Sequence, residues 1–356
     1  MNQFTGTLPI SLSNASSLEL VDFSSNSFRG HVPLNLGSLS GLYLFNIEKN
    51  QLGSREGDDL SFLTSLTNCT NLKVLSVYFN NLSGELPGSI ANLSTQLEIL
   101  FLRDNEIFGT IPQGIENLVS LYALHLGENS MKGTLPDAIG KLNKLQALNL
   151  RRNKFSGQIP PSIGNITRLS ILLLDGNDFH GSIPSSFGNW GFLEQPFISQ
   201  NKFNGTILKQ VGAVKINISG NSFTGNLLLE VDNLENISEM DASENNLSGE
   251  IPDTLGKCQS LELLYMHGNL LQGTIPESLR NLKGIEELDL SRNNLSGQIP
   301  KYLEEFHFLQ YLNLSFNNFD GDVPKRGIFR NASTISVVGN SKLCGDYGYS
   351  NNKCFC

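Results

Sequence analysis

The chain has 356 residues, of which 39% are hydrophobic and 17% are charged, a composition too apolar for a disordered polymer. No stretch approaches the roughly 18 consecutive apolar residues that a membrane-spanning helix requires. The net charge of -9 disfavours a nucleic-acid-binding protein, because such proteins are normally basic. The length suits either two average domains or one long array.

One motif, L-x-x-L-x-x-L-x-L-x-x-N-x-L-x-G-x-I-P, recurs along the chain, and most successive copies of its asparagine are 24 residues apart. Eleven of the 13 prolines occupy the last position of the motif. The recurring asparagines are Asn2, Asn26, Asn50, Asn80, Asn105, Asn129, Asn153, Asn177, Asn201, Asn221, Asn245, Asn269, Asn293 and Asn317, with a degenerate copy at Asn340. This regularity predicts an array of about fourteen coils over residues 1–340.

Each copy predicts the same local structure. The alternating x-L-x-L-x run predicts a short strand whose leucines point into the coil. An asparagine amide has two donors and an acceptor, so we expect a buried ladder of these side chains that satisfies backbone groups at the turns. Because one coil cannot bury its own leucines, stacked coils must share a core. The predicted fold is a right-handed, α/β-type leucine-rich solenoid with a concave parallel sheet and a 3-10 or irregular convex side.

Two spacings depart from the repeat. A 30-residue spacing inserts residues 53–60, G-S-R-E-G-D-D-L, which we expect to form a solvated convex loop, with a contact or dimerisation loop as the functional alternative. The spacing from Asn201 to Asn221 is only 20 residues, and Pro196 replaces an expected strand leucine nearby. These changes predict a local kink or flattening.

The strand residues between the leucines project from the concave face, which is the predicted binding surface. A first set combines aromatic and basic residues: Tyr78, Phe79, Phe101, Arg103, His125, Arg151 and Arg152. Exposed aromatic residues often mark contact sites, so this set is predicted to hold an extended peptide with an acidic group or a C-terminal carboxylate. The alternative is an ordinary solenoid surface.

A second set of face residues lies nearer the C-terminus and mixes acidic and aromatic side chains. Its members are Asp241, Tyr265, His267, Asp289, Tyr311 and Phe316. Acidic rows framing aromatic residues indicate a basic peptide or a partner ectodomain, and His267 offers a pH-sensitive contact. The alternative is a solvated charged face.

The five cysteines fall into two groups. Cys69 and Cys258 precede strands in separate coils and are predicted to be buried thiols. Cys344, Cys354 and Cys356 cluster after the last repeat, but no fourth ligand lies nearby, so we expect no metal site.

Twelve N-x-[ST] sequons are present, and they predict glycosylation if the chain is secreted. Two of them, Asn217 and Asn313, fall on the concave face, where sugars would block access to a ligand. The predicted glycosylation sites are the other ten: Asn14, Asn68, Asn81, Asn92, Asn165, Asn204, Asn236, Asn246, Asn294 and Asn331.

Catalysis is not predicted for this chain. Its five histidines are dispersed and lack the spacing of a metal site or a catalytic triad. No G-x-S-x-G, H-E-x-x-H or phosphate-loop motif occurs, so no cofactor is expected.

The repeat unit resembles the plant-specific leucine-rich repeat over essentially the whole chain. The segments that carry the resemblance further are S-F-L-T-S-L-T-N-C-T-N-L (61–72), G-S-I-A-N-L-S-T-Q-L-E (88–98), L-D-L-S-R-N-N-L-S-G-Q-I-P (288–300), F-R-N-A-S (329–333) and A-S-x-x-S-V-x-G-N-x-K-L-C-G (332–345). Together they are similar to ectodomains of plant receptor-like serine/threonine kinases of the innate-immunity branch, which includes receptors for bacterial flagellin and elongation-factor peptides and a rice receptor for Xanthomonas.

That resemblance implies an extracellular domain that binds a peptide or other microbial ligand on its concave face. It also implies a short leucine-rich-repeat co-receptor kinase that docks near the C-terminal repeats. A cysteine pair staples the C-terminal cap in the resembled family, which implies a Cys344–Cys354 disulfide in an incomplete cap over residues 341–356. The implied location is the extracellular side of the plasma membrane.

The sequence departs from that family in several ways. It begins inside a repeat, ends before any membrane segment, and contains no V-A-I-K, H-R-D or D-F-G kinase signature. We therefore expect a fragment of such a receptor, or a truncated, non-signalling relative that would be secreted if complete. A third alternative is a secreted inhibitor of a microbial cell-wall-degrading enzyme, against which the number of coils and the missing N-terminal cap argue.

Overall fold

The computed structural model describes residues 2–54, 57–189, 193, 195–206, 214–227, 236–331 and 333–344. The chain divides into two compact units. Unit 1 comprises Met1–His180 and Pro184–Phe192, and unit 2 comprises Gly181–Ile183 and Leu193–Cys356. Among the described residues, no helix is both long and apolar enough to cross a lipid bilayer.

In unit 1, one short strand per coil builds a parallel sheet in which each strand pairs with that of the next coil. The central residue of each strand is buried, and the residues on either side of it face outward or are covered by neighbouring side chains. We call the outward side of this sheet the unit 1 face. Its strands are Leu20–Asp22, Leu44–Asn46, Val74–Ser76, Ile99–Phe101, Ala123–His125, Ala147–Asn149 and Ile171–Leu173.

Unit 1 contains further parallel strands that the sequence analysis did not predict. They follow the recurring asparagines, and all except Gln51–Leu52 include the glycine of the motif. These strands are Thr5–Gly6, Ser27–Gly30, Gln51–Leu52, Ser83–Glu85, Glu106–Gly109, Ser130–Gly133, Lys154–Gly157 and Asp178–Gly181. The predicted 3-10 segments of unit 1 are Ile10–Asn14, Leu36–Ser38, Leu66–Asn68, Gly88–Asn92, Gln113–Asn117, Asp137–Lys141, Pro161–Asn165 and Ser185–Asn189, with one short α-helix at Phe62–Ser65.

Unit 2 repeats this arrangement, and the outward side of its first sheet is called the unit 2 face. The strands of that sheet are Gln195–Phe197, Lys215–Asn217, Glu239–Asp241, Leu263–Tyr265, Glu287–Asp289, Tyr311–Asn313 and Ile335–Ser336. The second set of strands is Lys202–Gly205, Ser222–Gly225, Asn246–Glu250, Leu270–Gly273, Asn294–Gln298, Asn318–Asp322 and Lys342–Cys344. The 3-10 helices among the described residues of unit 2 are Asp253–Lys257, Glu277–Asn281, Lys301–Glu305 and Gly327–Arg330.

The motif proline precedes most of the 3-10 helices and sets their start. Pro136 has φ -71° and ψ 144°, and Pro276 has nearly the same values, so the chain is extended just before each helix begins. A proline has a fixed φ and no N–H, and it therefore suits a position with no partner in a sheet. Each helix is only one to two turns long, and a short connection leads from it to the next strand, as from Lys141 to Ala147.

Leucine, isoleucine and phenylalanine side chains fill the interior of each unit. Phe155 and Phe179 stack with ring centroids 6.2 Å apart in unit 1, and Phe203 and Phe223 stack at 6.3 Å in unit 2. Each member of a pair comes from a different coil, so neighbouring coils share one core. The predicted leucine-rich repeat solenoid with parallel strands is confirmed.

The recurring asparagines connect successive coils. The Nδ2 atom of Asn293 donates to the carbonyl oxygens of Leu290 (3.1 Å), Ser291 (3.1 Å) and Met266 (3.0 Å). Its Oδ1 accepts the main-chain N–H of Leu271 at 3.0 Å. Met266 and Leu271 belong to the preceding coil, so the side chain closes its own turn and ties it to its neighbour.

The same pattern holds at the other ladder positions. Nδ2 atoms donate to main-chain carbonyls at each of Asn26, Asn50, Asn80, Asn105, Asn129, Asn153, Asn177, Asn201, Asn221, Asn245, Asn269, Asn317 and Asn340. The residue before the asparagine has a positive φ in both units, as at Glu128 (54°) and Arg292 (53°). This left-handed position lies three residues beyond each strand of the first sheet, as Glu128 does beyond His125, and it turns the chain there.

The insertion at residues 53–60 differs from the expected solvated loop. Asp59 and Leu60 are buried. The Asp59 carboxylate accepts the N–H of Ser54 at 2.9 Å and that of Ser83 at 3.0 Å, and it lies 3.2 Å from Nδ1 of His31. The prediction was wrong for this end of the insertion because a buried carboxylate fastens it to the neighbouring coils.

Candidate functional site

Register places the third residue of neighbouring strands side by side on the unit 1 face. Ser76 pairs with Phe101, Phe101 with His125, and His125 with Asn149. Ser76 and Asn149 are buried, whereas Phe101 and His125 are half-buried. Two rings therefore stand between smaller polar neighbours at the centre of this face.

Three rings form a continuous aromatic surface on the unit 1 face. Phe101 and His125 stack with centroids 4.3 Å apart and an interplanar angle of 17°. Tyr78 meets Phe101 edge-on at 6.4 Å. The Arg103 guanidinium lies 4.8 Å and the Lys49 ammonium 5.6 Å from the centre of the Tyr78 ring, so cations from neighbouring coils flank the tyrosine.

Glu48 holds the edge of this aromatic surface. Its Oε1 accepts the Tyr78 hydroxyl at 3.1 Å, and its Oε2 accepts the Ser76 hydroxyl at 3.0 Å. Because both oxygens are engaged by the next coil, the tyrosine ring is held in place before any ligand arrives. A preorganised ring loses little entropy on binding.

His125 is uncharged over the physiological pH range. Burial, and then the nearby positive charge of Arg103, lower the pKa of His125 from 6.5 to about 4. The imidazole therefore acts as a neutral ring stacked on Phe101. Counting His125 as a cation would therefore overstate the positive charge of the unit 1 face at neutral pH.

The two neighbouring arginines are already paired with carboxylates. The Nε atom of Arg151 lies 3.6 Å from Oε1 of Glu128 and 3.4 Å from Oδ2 of Asp175, and Arg152 lies 3.2 Å from the same Glu128 oxygen. Burial raises the pKa of Asp175, and Arg151 opposes that change. A ligand carboxylate would have to compete with these partners, which weakens the prediction of a free basic stripe. The role of Asp175 was missed because it comes from the following coil.

Phe79 lies apart from the other rings of its set. It has φ 56°, follows the end of the strand, and is 60% exposed. It lines a shallow depression bounded by asparagines of neighbouring coils, not the surface made by Tyr78 and Phe101. Arg152 and Phe316 occupy the equivalent left-handed position in their own coils. The sequence pattern did not distinguish this position from those of the strand.

Tyrosines and carboxylates alternate across the unit 2 face. The Tyr265 hydroxyl donates to Oε2 of Glu287 at 2.5 Å, and the Tyr311 hydroxyl donates to Oδ2 of Asp289 at 3.3 Å. Nδ2 of Asn313 also donates to Asp289, at 3.1 Å. Burial and the hydrogen bond to Glu287 raise the pKa of the Tyr265 hydroxyl, so it remains a donor at physiological pH.

Two of the carboxylates on this face, those of Asp241 and Asp289, stabilise the local fold. Oδ1 of Asp241 accepts both the N–H and the hydroxyl of Ser243, at 3.0 and 2.6 Å. Asp289 holds Ser291 in the same way. Each carboxylate thus fixes the turn that follows its strand, a role that the repeat spacing alone does not reveal.

His267 lies between two carboxylates on the unit 2 face. Its Nε2 is 3.9 Å from Oε1 of Glu244, and its Nδ1 is 3.9 Å from Oδ2 of Asp289. Phe316 is exposed at the next-but-one coil, with the Arg292 guanidinium 5.8 Å from its ring centre. The structure therefore brings His267 and Asp289 together and leaves Phe316 at the border of this face.

The predicted glycosylation sites lie mainly on exposed positions. Asn14, Asn68, Asn92, Asn165, Asn204, Asn236, Asn246, Asn294 and Asn331 are exposed, and Asn81 is half-buried. By contrast, the side chain of Asn313 is hydrogen-bonded on the unit 2 face through both of its polar atoms. Asn313 therefore differs from most of the other sequon asparagines, whose side chains are exposed.

The structure places three of the five cysteines. Cys69 and Cys258 are buried, which raises the pKa of each thiol. Cys344 ends the last described strand. Cys354 and Cys356 lie outside the described residues, so the Cys344–Cys354 pairing stays a prediction.

One group of side chains has metal-compatible spacing. Ligand atoms of His31, Asp58 and Asp59 lie within 4.8 Å of one another. The Asp59 carboxylate already accepts N–H groups from Ser54 and Ser83, so its position is explained by the anchoring of the insertion. This group does not support a metal assignment.

Comparisons with known families match the repeat directly. One model described as a leucine rich repeat matches residues 95–155. Another model of the leucine-rich repeat matches residues 71–93, 168–190, 236–258, 260–282, 284–306 and 308–326. Together these segments cover more than half of the chain.

The curated relatives are plant receptor kinases. The chain is 54% identical over 80 residues to the LRR receptor-like serine/threonine-protein kinase EFR of Arabidopsis thaliana, a match that covers 22% of this chain and 8% of the kinase. It is 46% identical over 78 residues to the receptor kinase-like protein Xa21 of Oryza sativa subsp. japonica, with the same coverage of 22% and 8%. The match thus spans a small part of each relative.

The similar solved structures include plant receptors with bound peptides. The plant peptide hormone receptor RGFR1 in complex with RGF2 has a TM-score of 0.85 and 32% identity, over 96% of this chain and 54% of that chain. The Arabidopsis receptor kinase HAESA, in complex with the peptide hormone IDA and the co-receptor SERK1, has a TM-score of 0.51 and 26% identity, over 98% of this chain and 78% of that chain. One of these is a peptide hormone receptor, and the other is bound to a peptide hormone.

Proposed function

This chain belongs to the leucine-rich repeat family, and from that premise we propose that it is the extracellular ligand-recognition domain of a plant receptor kinase that acts in defence signalling. It binds a peptide or other microbial or endogenous ligand on the unit 1 face and a co-receptor kinase on the unit 2 face. Its place is the extracellular side of the plasma membrane, through a membrane segment and kinase that other residues would supply. The likeness to EFR, Xa21 and the peptide-bound receptors supports this proposal.

The observation that carries the proposal is the aromatic surface of Tyr78, Phe101 and His125. A solenoid core does not need rings on the outward side of its strands, and exposed aromatic surface commonly marks a contact site. Glu48 and the flanking cations hold these rings in a fixed arrangement. An extended ligand can therefore place apolar side chains on the rings without ordering the receptor.

The direct test is peptide capture by the glycosylated, secreted chain. A panel of microbial and plant extracellular peptides is screened, and any ligand found is titrated against the triple variant Tyr78→Ala, Phe101→Ala and Arg151→Ala. Removal of central ring contacts should weaken binding at least about tenfold. Unchanged affinity would rule out this face as the binding site.

A matched control removes residues of similar type from unit 1 away from the face. The variant Phe4→Ala, Phe108→Ala and Lys132→Ala deletes two exposed rings and one cation. It should bind the ligand like the unsubstituted protein. Equal losses in both triple variants would indicate a non-specific effect on the fold.

A further inference from the structure

The charges of the two faces are balanced differently. On and beside the unit 1 face, five cations (Lys49, Lys73, Arg103, Arg151 and Arg152) accompany seven carboxylates: Glu19, Asp22, Glu48, Glu98, Asp104, Glu128 and Asp175. On and beside the described part of the unit 2 face, Lys215 and Arg292 accompany seven carboxylates: Glu239, Asp241, Glu244, Glu262, Glu286, Glu287 and Asp289. The unit 2 face thus carries an excess of negative charge that its own residues do not neutralise.

Tyr265 lies at the centre of this negative charge. Register places Asp241 and Asp289 on the strands on either side of Tyr265, and Glu239 and Glu287 on either side of Leu263. The ring is half-buried, so one side of it remains open to solvent. After burial and the hydrogen bond to Glu287, the charges of Glu239 and Asp241 raise the pKa of Tyr265 further, which agrees with their closeness to the ring.

Not every carboxylate oxygen here is occupied. Asp289 uses Oδ1 for Ser291 and Oδ2 for neighbouring side chains on the next strand. Asp241 uses only Oδ1, and Glu239 uses only Oε2, which lies 3.0 Å from the ammonium of Lys215. Among the described residues, Oδ2 of Asp241 and Oε1 of Glu239 accept no hydrogen bond. Among the same residues, Oε1 of Glu287 also accepts no hydrogen bond, because that carboxylate binds the Tyr265 hydroxyl through Oε2. Open acceptors therefore flank Tyr265, and those of Asp241 and Glu239 lie on its N-terminal side.

A single metal ion does not fit this arrangement. Calcium requires six to eight oxygens at about 2.3–2.6 Å, whereas Asp241 and Asp289 stand on strands two steps apart, roughly 9–10 Å. Among the described residues, the metal-compatible cluster is the one at His31, Asp58 and Asp59. Spread carboxylates on one sheet suit positive charges that are spread along an extended chain.

We propose that the unit 2 face binds a cationic peptide segment of its partner, with a lysine or arginine side chain over the Tyr265 ring and paired with Asp241 and Glu239. The aromatic ring and the carboxylates attract the same cation, one through its π face and the others through charge and hydrogen bonds. This inference rests on the proposed use of the unit 2 face for partner binding and adds the chemistry of that partner.

The test uses a short fluorescein-labelled oligolysine peptide, titrated against the secreted chain by fluorescence anisotropy at low and at physiological ionic strength. The double variant Glu239→Gln and Asp241→Asn should weaken binding about tenfold, and Tyr265→Leu about threefold. The control variant Asp253→Asn and Glu277→Gln removes the same charge from 3-10 helices of unit 2 and should lose less than about twofold. Circular dichroism establishes that all variants are folded.

Two results would overturn the inference. One is an equal loss of oligolysine binding in the control and the site variant, which would show that binding depends only on the net charge of the protein. The other is displacement of the peptide by low concentrations of calcium ions through the same residues. Loss of ligand capture in the unit 1 triple variant is measured separately, so the proposed ligand site and this cationic site can fail independently.

Discussion

Replacing Asn293 by alanine tests whether the asparagine ladder stabilises the array. The Asn293 side chain is 7% exposed and serves three carbonyl oxygens and the N–H of Leu271. Alanine removes all four interactions and leaves room too small for bulk water to replace them easily. The neighbouring Asn294 is exposed and supplies a matched control one residue away.

The expected loss follows from counting hydrogens. The amide has two N–H groups, so its three carbonyl contacts amount to two donor bonds, each worth about 1 kcal/mol net. The buried N–H of Leu271 would also lose its acceptor, which costs about 1–3 kcal/mol. We expect Asn293→Ala to lower the free energy of unfolding by about 3–5 kcal/mol, and Asn294→Ala to change it by less than about 0.5 kcal/mol.

Chemical denaturation followed by circular dichroism measures the stability, and amide hydrogen exchange provides the local readout. Exchange of the Leu271 amide should accelerate strongly in Asn293→Ala and remain unchanged in Asn294→Ala. Asn293→Asp keeps an acceptor but faces carbonyl oxygens, so its carboxyl pKa should be raised and its deficit should shrink as the pH falls. A loss below about 1 kcal/mol with normal Leu271 exchange would refute the reasoning.

Two further predictions concern His125 and Asn313. Because burial and Arg103 depress the pKa of His125 from 6.5 to about 4, its folded state should lose stability as the pH falls through this interval, and His125→Phe should remove that loss in denaturation series across the same pH range. The same pH dependence in both proteins would contradict this origin. For Asn313, a glycan would remove hydrogen bonds to Asp289 and Tyr311, so folded, secreted protein should carry sugar at Asn294 and not at Asn313. Glycopeptide mass spectrometry measures both occupancies, and extensive modification of Asn313 would show that this part of the face tolerates a glycan.

The repeat pattern was sufficient to predict the solenoid because every coil repeats the same apolar spacing. Buried Leu290 and the half-buried Tyr265 both follow from alternation along a strand. The prediction of a 3-10 or irregular side opposite the strands is met by the short 3-10 helices of the described residues. It missed the second set of parallel strands, since segments such as Ser130–Gly133 contain a glycine and no regular alternation.

The candidate sites were less predictable because they depend on contacts between coils. Phe79 occupies the left-handed position after its strand, which the spacing alone does not reveal. Asp175 pairs with Arg151 only because consecutive coils bring them together. Asp289 is largely committed to hydrogen bonds within the fold, although its sequence context suggests a free acid. Position in the repeat identified which residues reach the faces, whereas three-dimensional contacts determine which charges remain available.

The asparagine contacts have a direction that bears on truncation. Asn317 donates to Leu290 and accepts from Leu295, both in the coil before it, and Asn340 does the same for Leu314 and Phe319. Removing coils from the C-terminal side would strip these amide partners from a newly terminal coil and leave its carbonyl and N–H groups to be satisfied by solvent alone. Removing coils from the N-terminal side would instead leave a hydrophilic amide without its former neighbour, a milder defect. Shortened versions of this array should therefore tolerate N-terminal trimming better than C-terminal trimming.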